Sequence, residues 1–144
     1  MKPASVRFVS YRNLGDFHWS WPHFRPYELA CSMTNELLVV PAFLDWLEDV
    51  RHVYGEPMII TSGYRTPGHQ ATLPGGRRTG AHVDGMAVDV QISGADAHKL
   101  LAIAAECGAM GIGVSQKGAV AARYLHLDCW TKAPDGLRPM IWSY

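Results

Sequence analysis

Two hydrophobic periods divide this chain into helices and strands. In Pro41–Tyr54, PAFLDWLEDVRHVY, the residues Phe43, Leu44, Leu47, Val50 and Tyr54 recur at three and four. That spacing predicts an amphipathic helix, with Pro41 in its first turn and Gly55 at its stop. A second helix is predicted from Ala95 to Glu106. It carries an apolar stripe of Leu100, Leu101, Ile103 and Ala104, with Ser93 or Asp96 near its start and Gly108 at its end. Met58–Thr61 is a short apolar run between Pro57 and Gly63, which predicts a buried strand. From Gly85 the period becomes two. Met86, Val88 and Val90 point one way, and Ala87, Asp89 and Gln91 the other. Met110–Ser115 is predicted as a short strand around Gly111 and Gly113. Over Arg123–Trp130, Leu125, Leu127 and Cys129 alternate with His126, Asp128 and Trp130, so His126 and Asp128 share a face.

Between these elements the chain is irregular. Pro26–Ala30 suits one helical turn, and Thr34 or Asn35 suits a helix cap. Residues 1–25 are rich in aromatics and prolines and are expected to form an arm over a core of residues 26–144. Pro67, Pro74, Gly75, Gly76 and Gly80 mark a long loop, a length that in a compact domain usually serves function. The tail from Lys132 is expected to be loop-like, with a final apolar piece. The order of elements is not a regular βαβ alternation. It predicts an α+β fold in a single domain, with a small, mainly antiparallel sheet and helices packed on one side.

Composition excludes several classes of function. The 144 residues hold 13 Lys+Arg and 13 Asp+Glu. A formal charge of zero gives no electrostatic reason to bind nucleic acid or an anionic membrane. There is no apolar run long enough for a membrane helix. The first residues contain one Lys and no apolar stretch, so no secretory signal is expected. Cys31, Cys107 and Cys129 are widely spaced and odd in number, which predicts reduced thiols rather than a disulfide framework.

The chemistry gathers in Thr61–Val90, TSGYRTPGHQATLPGGRRTGAHVDGMAVDV, and in Tyr124–Asp128, YLHLD. A catalytic zinc takes three protein ligands and keeps one open position. His82 in a loop entering a strand, Asp89 on that strand and His126 on a neighbouring strand can converge on one ion, since adjacent strands lie about 5 Å apart. The other reading is that each is structural or at the surface, and seven histidines in the chain make chance pairs common.

The three motifs TSGYRTPGH, GAHVDGMAVDV and YLHLD, in this order, resemble the zinc D-Ala-D-Ala carboxypeptidase family. That family is part of the LAS metallopeptidases, with lysostaphin-type endopeptidases and the hedgehog signalling domain. Its peptidoglycan peptidases include phage endolysins. The resemblance covers about residues 24–130. It implies a zinc cofactor on His82, Asp89 and His126. It also implies an Arg65 that stabilises the oxyanion or holds the substrate, with Ser62 and Tyr64 shaping its turn and lining the substrate site, and a bend at Gly85.

The chain departs from the family pattern at several positions. Many relatives carry a Glu general base three residues before the last His, where this chain has Arg123. Gly80 and Gln70 stand where Ser and Asn are usual. Asp128 is the candidate to replace the base, with a ligand role or the orienting of His126 as alternatives. The resemblance implies a zinc peptidase of bacterial peptidoglycan, of carboxypeptidase or murein endopeptidase type, acting as a monomer. A domain made in the cytoplasm without a signal fits a phage lysin released by a holin. A non-catalytic wall-binding module on the same scaffold is the alternative function. Non-haem iron is the alternative metal.

Overall fold

The alternation around Asp89 and His126 builds a sheet with one apolar and one polar face. The computed structural model describes residues 4–133 and 136–144. Its elements in order are β1 (Val6–Phe8), α1 (Pro26–Leu29), β2 (Leu37–Val39), α2 (Pro41–Tyr54), β3 (Ile59–Ser62), α3 (Pro67–Ala71), β4 (Ala87–Gln91), α4 (Gly94–Glu106), β5 (Gly111–Ser115), β6 (Tyr124–Asp128) and β7 (Met140–Ser143). A five-stranded sheet runs β3-β4-β6-β5-β7, and β1 and β2 form a separate pair. Every pairing is antiparallel except β5 with β7. The architecture is α+β with a mainly antiparallel sheet, as the periodicity implied.

The apolar face carries the core. Val88 and Val90 of β4 and Leu125 and Leu127 of β6 are at most 1% exposed. They pack with Leu47 and Val50 of α2 and Leu100 and Ala104 of α4 in one cluster. The opposite face is built in rows by the register. Asp89 pairs with His126, His126 with Gly113, and Gly113 with Trp142. On the other side of Asp89 stands Ser62, set by an irregularity in β3. One row thus crosses all five strands as Ser62, Asp89, His126, Gly113 and Trp142. The next row holds Ala87, Asp128, Gly111 and Met140.

The long helix matches its expected bounds, and Gly55 closes it in a left-handed conformation at φ 79°. Elsewhere the structure adds order where loop was expected. The N-terminal arm contributes β1, and its Trp21 and Phe24 are buried. Trp21 donates to Asp45 of α2 at 2.9 Å. Thr34 and Asn35 precede a strand rather than a helix. The N-cap of α2 falls to Val40, whose side chain makes no cap bond, and Pro41 at N1 removes one of the unpaired first-turn donors. The loop after Arg65 begins with α3, capped by the Thr66 hydroxyl, which accepts from the His69 amide at 3.1 Å. The tail supplies β7 as an edge strand. All three cysteines are free thiols.

Leu127 sits fully buried on the central strand. Leu127→Ala is expected to lower stability by about 2–5 kcal/mol through the cavity it leaves. Urea denaturation followed by circular dichroism measures this.

Candidate metal centre

Three acceptor atoms converge on the polar face: His82 Nε2, His126 Nδ1 and Asp89 Oδ1. The two histidine nitrogens are 3.2 Å apart. Asp89 Oδ1 lies 3.2 Å from His126 Nδ1 and 3.4 Å from His82 Nε2. The side chains are 7–12% exposed. The far nitrogen of each ring is engaged outward. His82 Nδ1 is 2.7 Å from the Gly63 carbonyl, which can only accept, so that nitrogen carries the proton. His126 Nε2 is 2.7 Å from Asp128 Oδ2, and an ionised carboxylate also only accepts. In the neutral rings, therefore, both inward nitrogens are lone pairs. Together with a carboxylate oxygen they make three acceptors with no hydrogen between them.

Such an arrangement calls for a cation. A tetrahedral zinc with bonds of about 2.0–2.1 Å sets its ligand atoms roughly 3.3 Å apart. The 3.2–3.4 Å spacing here suits an ion of that size. The donor set of two imidazoles and one carboxylate suits a divalent transition metal, and the three residues form a group that could hold a metal ion.

The charges are coupled. Burial pushes His82 below the ordinary imidazole value, and the His126 and Arg65 charges add to that, against the pull of Asp89. Burial also works to lower His126, but the carboxylates of Asp128 and Asp89 beside it favour the protonated ring and the net shift is upward. Burial works to raise Asp89, yet the imidazoles of His126 and His82, where one carries a proton toward it, hold its carboxyl well below the usual range.

Local backbone puts these side chains in place. Asp89 and His126 are direct cross-strand partners. His82 comes from a tight turn in which its carbonyl accepts from the Gly85 amide at 3.2 Å and the Arg65 amide at 3.1 Å. Gly85 takes φ 69°, where other residues are strained. That turn joins the loop after β3 to the loop before β4. Gly63 is required by close approach, since a Cβ there would fall 2.7 Å from the Leu29 carbonyl oxygen. The same carbonyl accepts from the Tyr64 amide at 2.8 Å.

Arg65 is fixed on three sides. Its Nε donates to Ser62 Oγ at 3.0 Å, Nη1 to Gln70 Oε1 at 3.2 Å and Nη2 to Asp89 Oδ2 at 3.0 Å. Gln70, which departs from the Asn expected by resemblance, thus makes a contact to Arg65. Two of the five guanidinium N–H groups remain for a ligand among the described contacts. Tyr64 is turned elsewhere. It is 3% exposed, with the Arg7 guanidinium 5.9 Å from its ring centroid.

Asp128 lies on the face foreseen but behind His126. It is completely buried. Its oxygens accept from His126 Nε2, from the Trp130 amide at 2.9 Å and from Arg138. It meets the ring at the nitrogen opposite the cluster. Arg123, at the position of the usual Glu, donates to the Gly118 carbonyl at 2.9 and 3.1 Å.

Sequence reasoning did not single out Gly63, Arg138 or Trp142. The only sequence signal was the pair of glycines, Gly111 and Gly113, two apart on one strand. They leave room on the polar face, where a Cβ on Gly113 would lie 2.8 Å from Trp142 Nε1.

The profile of the Peptidase M15 family matches residues 22–128, and the chain belongs to that family, which includes the zinc D-Ala-D-Ala carboxypeptidases. No match was found among curated proteins, and none among solved structures. No helix among the described residues is long and apolar enough to cross a membrane.

Gly63→Ala is expected to lower stability by about 1–3 kcal/mol through the forced backbone shift. It should also weaken metal binding by displacing the carbonyl that orients His82. Urea denaturation paired with metal titration checks both.

Proposed function

We propose that the protein is a zinc-dependent peptidase acting as a monomer on bacterial peptidoglycan peptides, with His82, Asp89 and His126 as the metal ligands. The observation that carries this is the convergence of three acceptor atoms whose outward partners fix both imidazole tautomers. Bound there, zinc supplies Lewis-acid activation of the attacking water and the scissile carbonyl.

The chain's own residues supply orientation and charge. Arg65 is held by Ser62, Gln70 and Asp89, so its free N–H groups present a fixed fork to a substrate carbonyl or carboxylate. A terminal carboxylate suits a carboxypeptidase, and an internal carbonyl suits an endopeptidase. Ser62 and Tyr64 shape the turn. Asp128 orients His126 from behind rather than carrying a proton, because each of its oxygens is already bonded. A phage lysin that reaches the wall after release by a holin is the setting this reading fits.

One observation favours a second reading. The place of the usual Glu base holds Arg123, bonded to Gly118, and the candidate replacement, Asp128, is committed to His126 and Arg138. A module that holds the metal and binds wall peptides without cutting them is consistent with that. Mass spectrometry of muropeptides after incubation separates the two: new termini support hydrolysis, and co-sedimentation with intact peptides supports binding.

Zinc-loaded protein is expected to hold one zinc per chain by elemental analysis. His82→Ala should lose the metal and any hydrolysis while keeping its circular dichroism spectrum, since the core on the opposite face is untouched. Stoichiometric iron in the protein as purified would replace zinc in this reading. Absence of any bound metal after loading would end it.

Arg65→Lys keeps the charge but not the fork. It is expected to lower kcat/KM by roughly ten- to a hundredfold, since a hydrogen bond to a charged group contributes about 1.5–3 kcal/mol. Peptide hydrolysis assays measure this, and unchanged kinetics would make Arg65 structural.

A further inference from the structure

The residues matched to the family end at Asp128, but the support of the cluster continues beyond them. Arg138, just ahead of β7, places Nη1 3.2 Å from Asp128 Oδ2, 3.4 Å from Asp128 Oδ1 and 3.3 Å from the Met110 carbonyl. Its guanidinium lies over two indoles, 5.6 Å from the Trp130 ring centroid and 5.1 Å from that of Trp142. Trp142 is itself 5.1 Å from the His126 ring. Gly111 makes room for the ion pair, since a Cβ on it would collide with both Arg138 Nη1 and Asp128. Side-chain exposure is 10% for Arg138 and zero for Asp128.

We propose that Arg138 is a positioning residue of the metal centre, acting through Asp128 to hold the Nδ1 lone pair of His126 toward Asp89 and His82. This rests on the metal reading of the cluster. Placement of the carboxylate is what Arg138 controls. Asp128 Oδ2 meets the outward nitrogen of His126 at 2.7 Å, so the position of the carboxylate sets the rotation of the ring. Arg138 touches both carboxylate oxygens and the Trp130 amide donates to Oδ1, which together hold the group against His126 Nε2. Without Arg138 the carboxylate is free to turn away, and the ring loses the partner that fixes its outward nitrogen. Because Nη1 alone touches both carboxylate oxygens, the role needs a positive charge at that point more than a planar fork.

Two measurements test this. In the first, Zn2+ is titrated into the protein against a chromophoric chelator. Arg138→Met is expected to weaken zinc binding by about ten- to a hundredfold, and Arg138→Lys to recover most of that loss. In an Asp128→Asn background, Arg138→Met should add little, because the pathway is already cut. Wild-type affinity in a folded Arg138→Met variant would overturn the inference, as would full additivity with Asp128→Asn. In the second, nitrogen-15 NMR of metal-free protein at alkaline pH reads the His126 tautomer. Wild type is expected to show the proton on Nε2, and Arg138→Met a mixture. An unchanged tautomer in the variant would overturn the inference even if the wild type bound no zinc, a result that would by itself sink only the metal reading. If Arg138→Met fails to fold, Arg138→Gln, also uncharged, carries the same expectations.

Discussion

Three acceptors facing one another in a buried site repel unless a cation lies among them, and much of this molecule is arranged around that fact. The antiparallel register of β4 and β6 sets Asp89 directly opposite His126. The turn at Gly85 brings His82 to the same point. Beyond the ring of acceptors stands a ring of partners. The Gly63 carbonyl and Asp128 take the outward protons of the two imidazoles, and Arg65 balances the second oxygen of Asp89. Polar groups removed from water need partners of this kind. Here the partners also decide which atoms are left unsatisfied, and those atoms define the site.

The sheet separates the work of folding from the work of the site. Val88, Val90, Leu125 and Leu127 bind the sheet to α2 and α4. The intervening residues of the same strands, Asp89, His126 and Asp128, form the polar cluster on the other face. A period of two thus lets one strand serve both ends without compromise. A shift of register by one residue would exchange the two sets, placing carboxylates in the core. The dense apolar packing behind the sheet is therefore also what holds the acceptor atoms in place.

Much of this was legible because it depends on local period. The alternation in Met86–Gln91 and Arg123–Trp130 placed Asp89 and His126 on one face, and the spacing in Pro41–Tyr54 placed the long helix. What stayed hidden depends on partners remote in the chain. The three residues of β1 have no period to read and become a strand only against Leu37–Val39. β7 is a short apolar run, MIW followed by Ser143, with no alternation to read; its pairing with β5 is parallel and its position at the sheet edge is fixed by tertiary packing. The side of His126 on which Asp128 lies could not be read from their sharing a face, because strand geometry fixes the direction of Cβ but not the rotation of the ring. The resemblance to a family pointed to Arg65, while Arg138 lies beyond the residues matched to that family.

The place of β6 in the sheet has a consequence for synthesis of the protein. β6 lies between β4 and β5 although it follows both in the chain. A growing chain that has emerged as far as Ser115 has both flanking strands but a gap where the centre belongs, and it lacks His126. The sheet closes and the acceptor cluster assembles in the same event, when Tyr124–Asp128 slots into that gap. The ribosome therefore releases most of the sequence before the acceptor cluster can form, so an incomplete chain presents neither a finished core nor the assembled cluster.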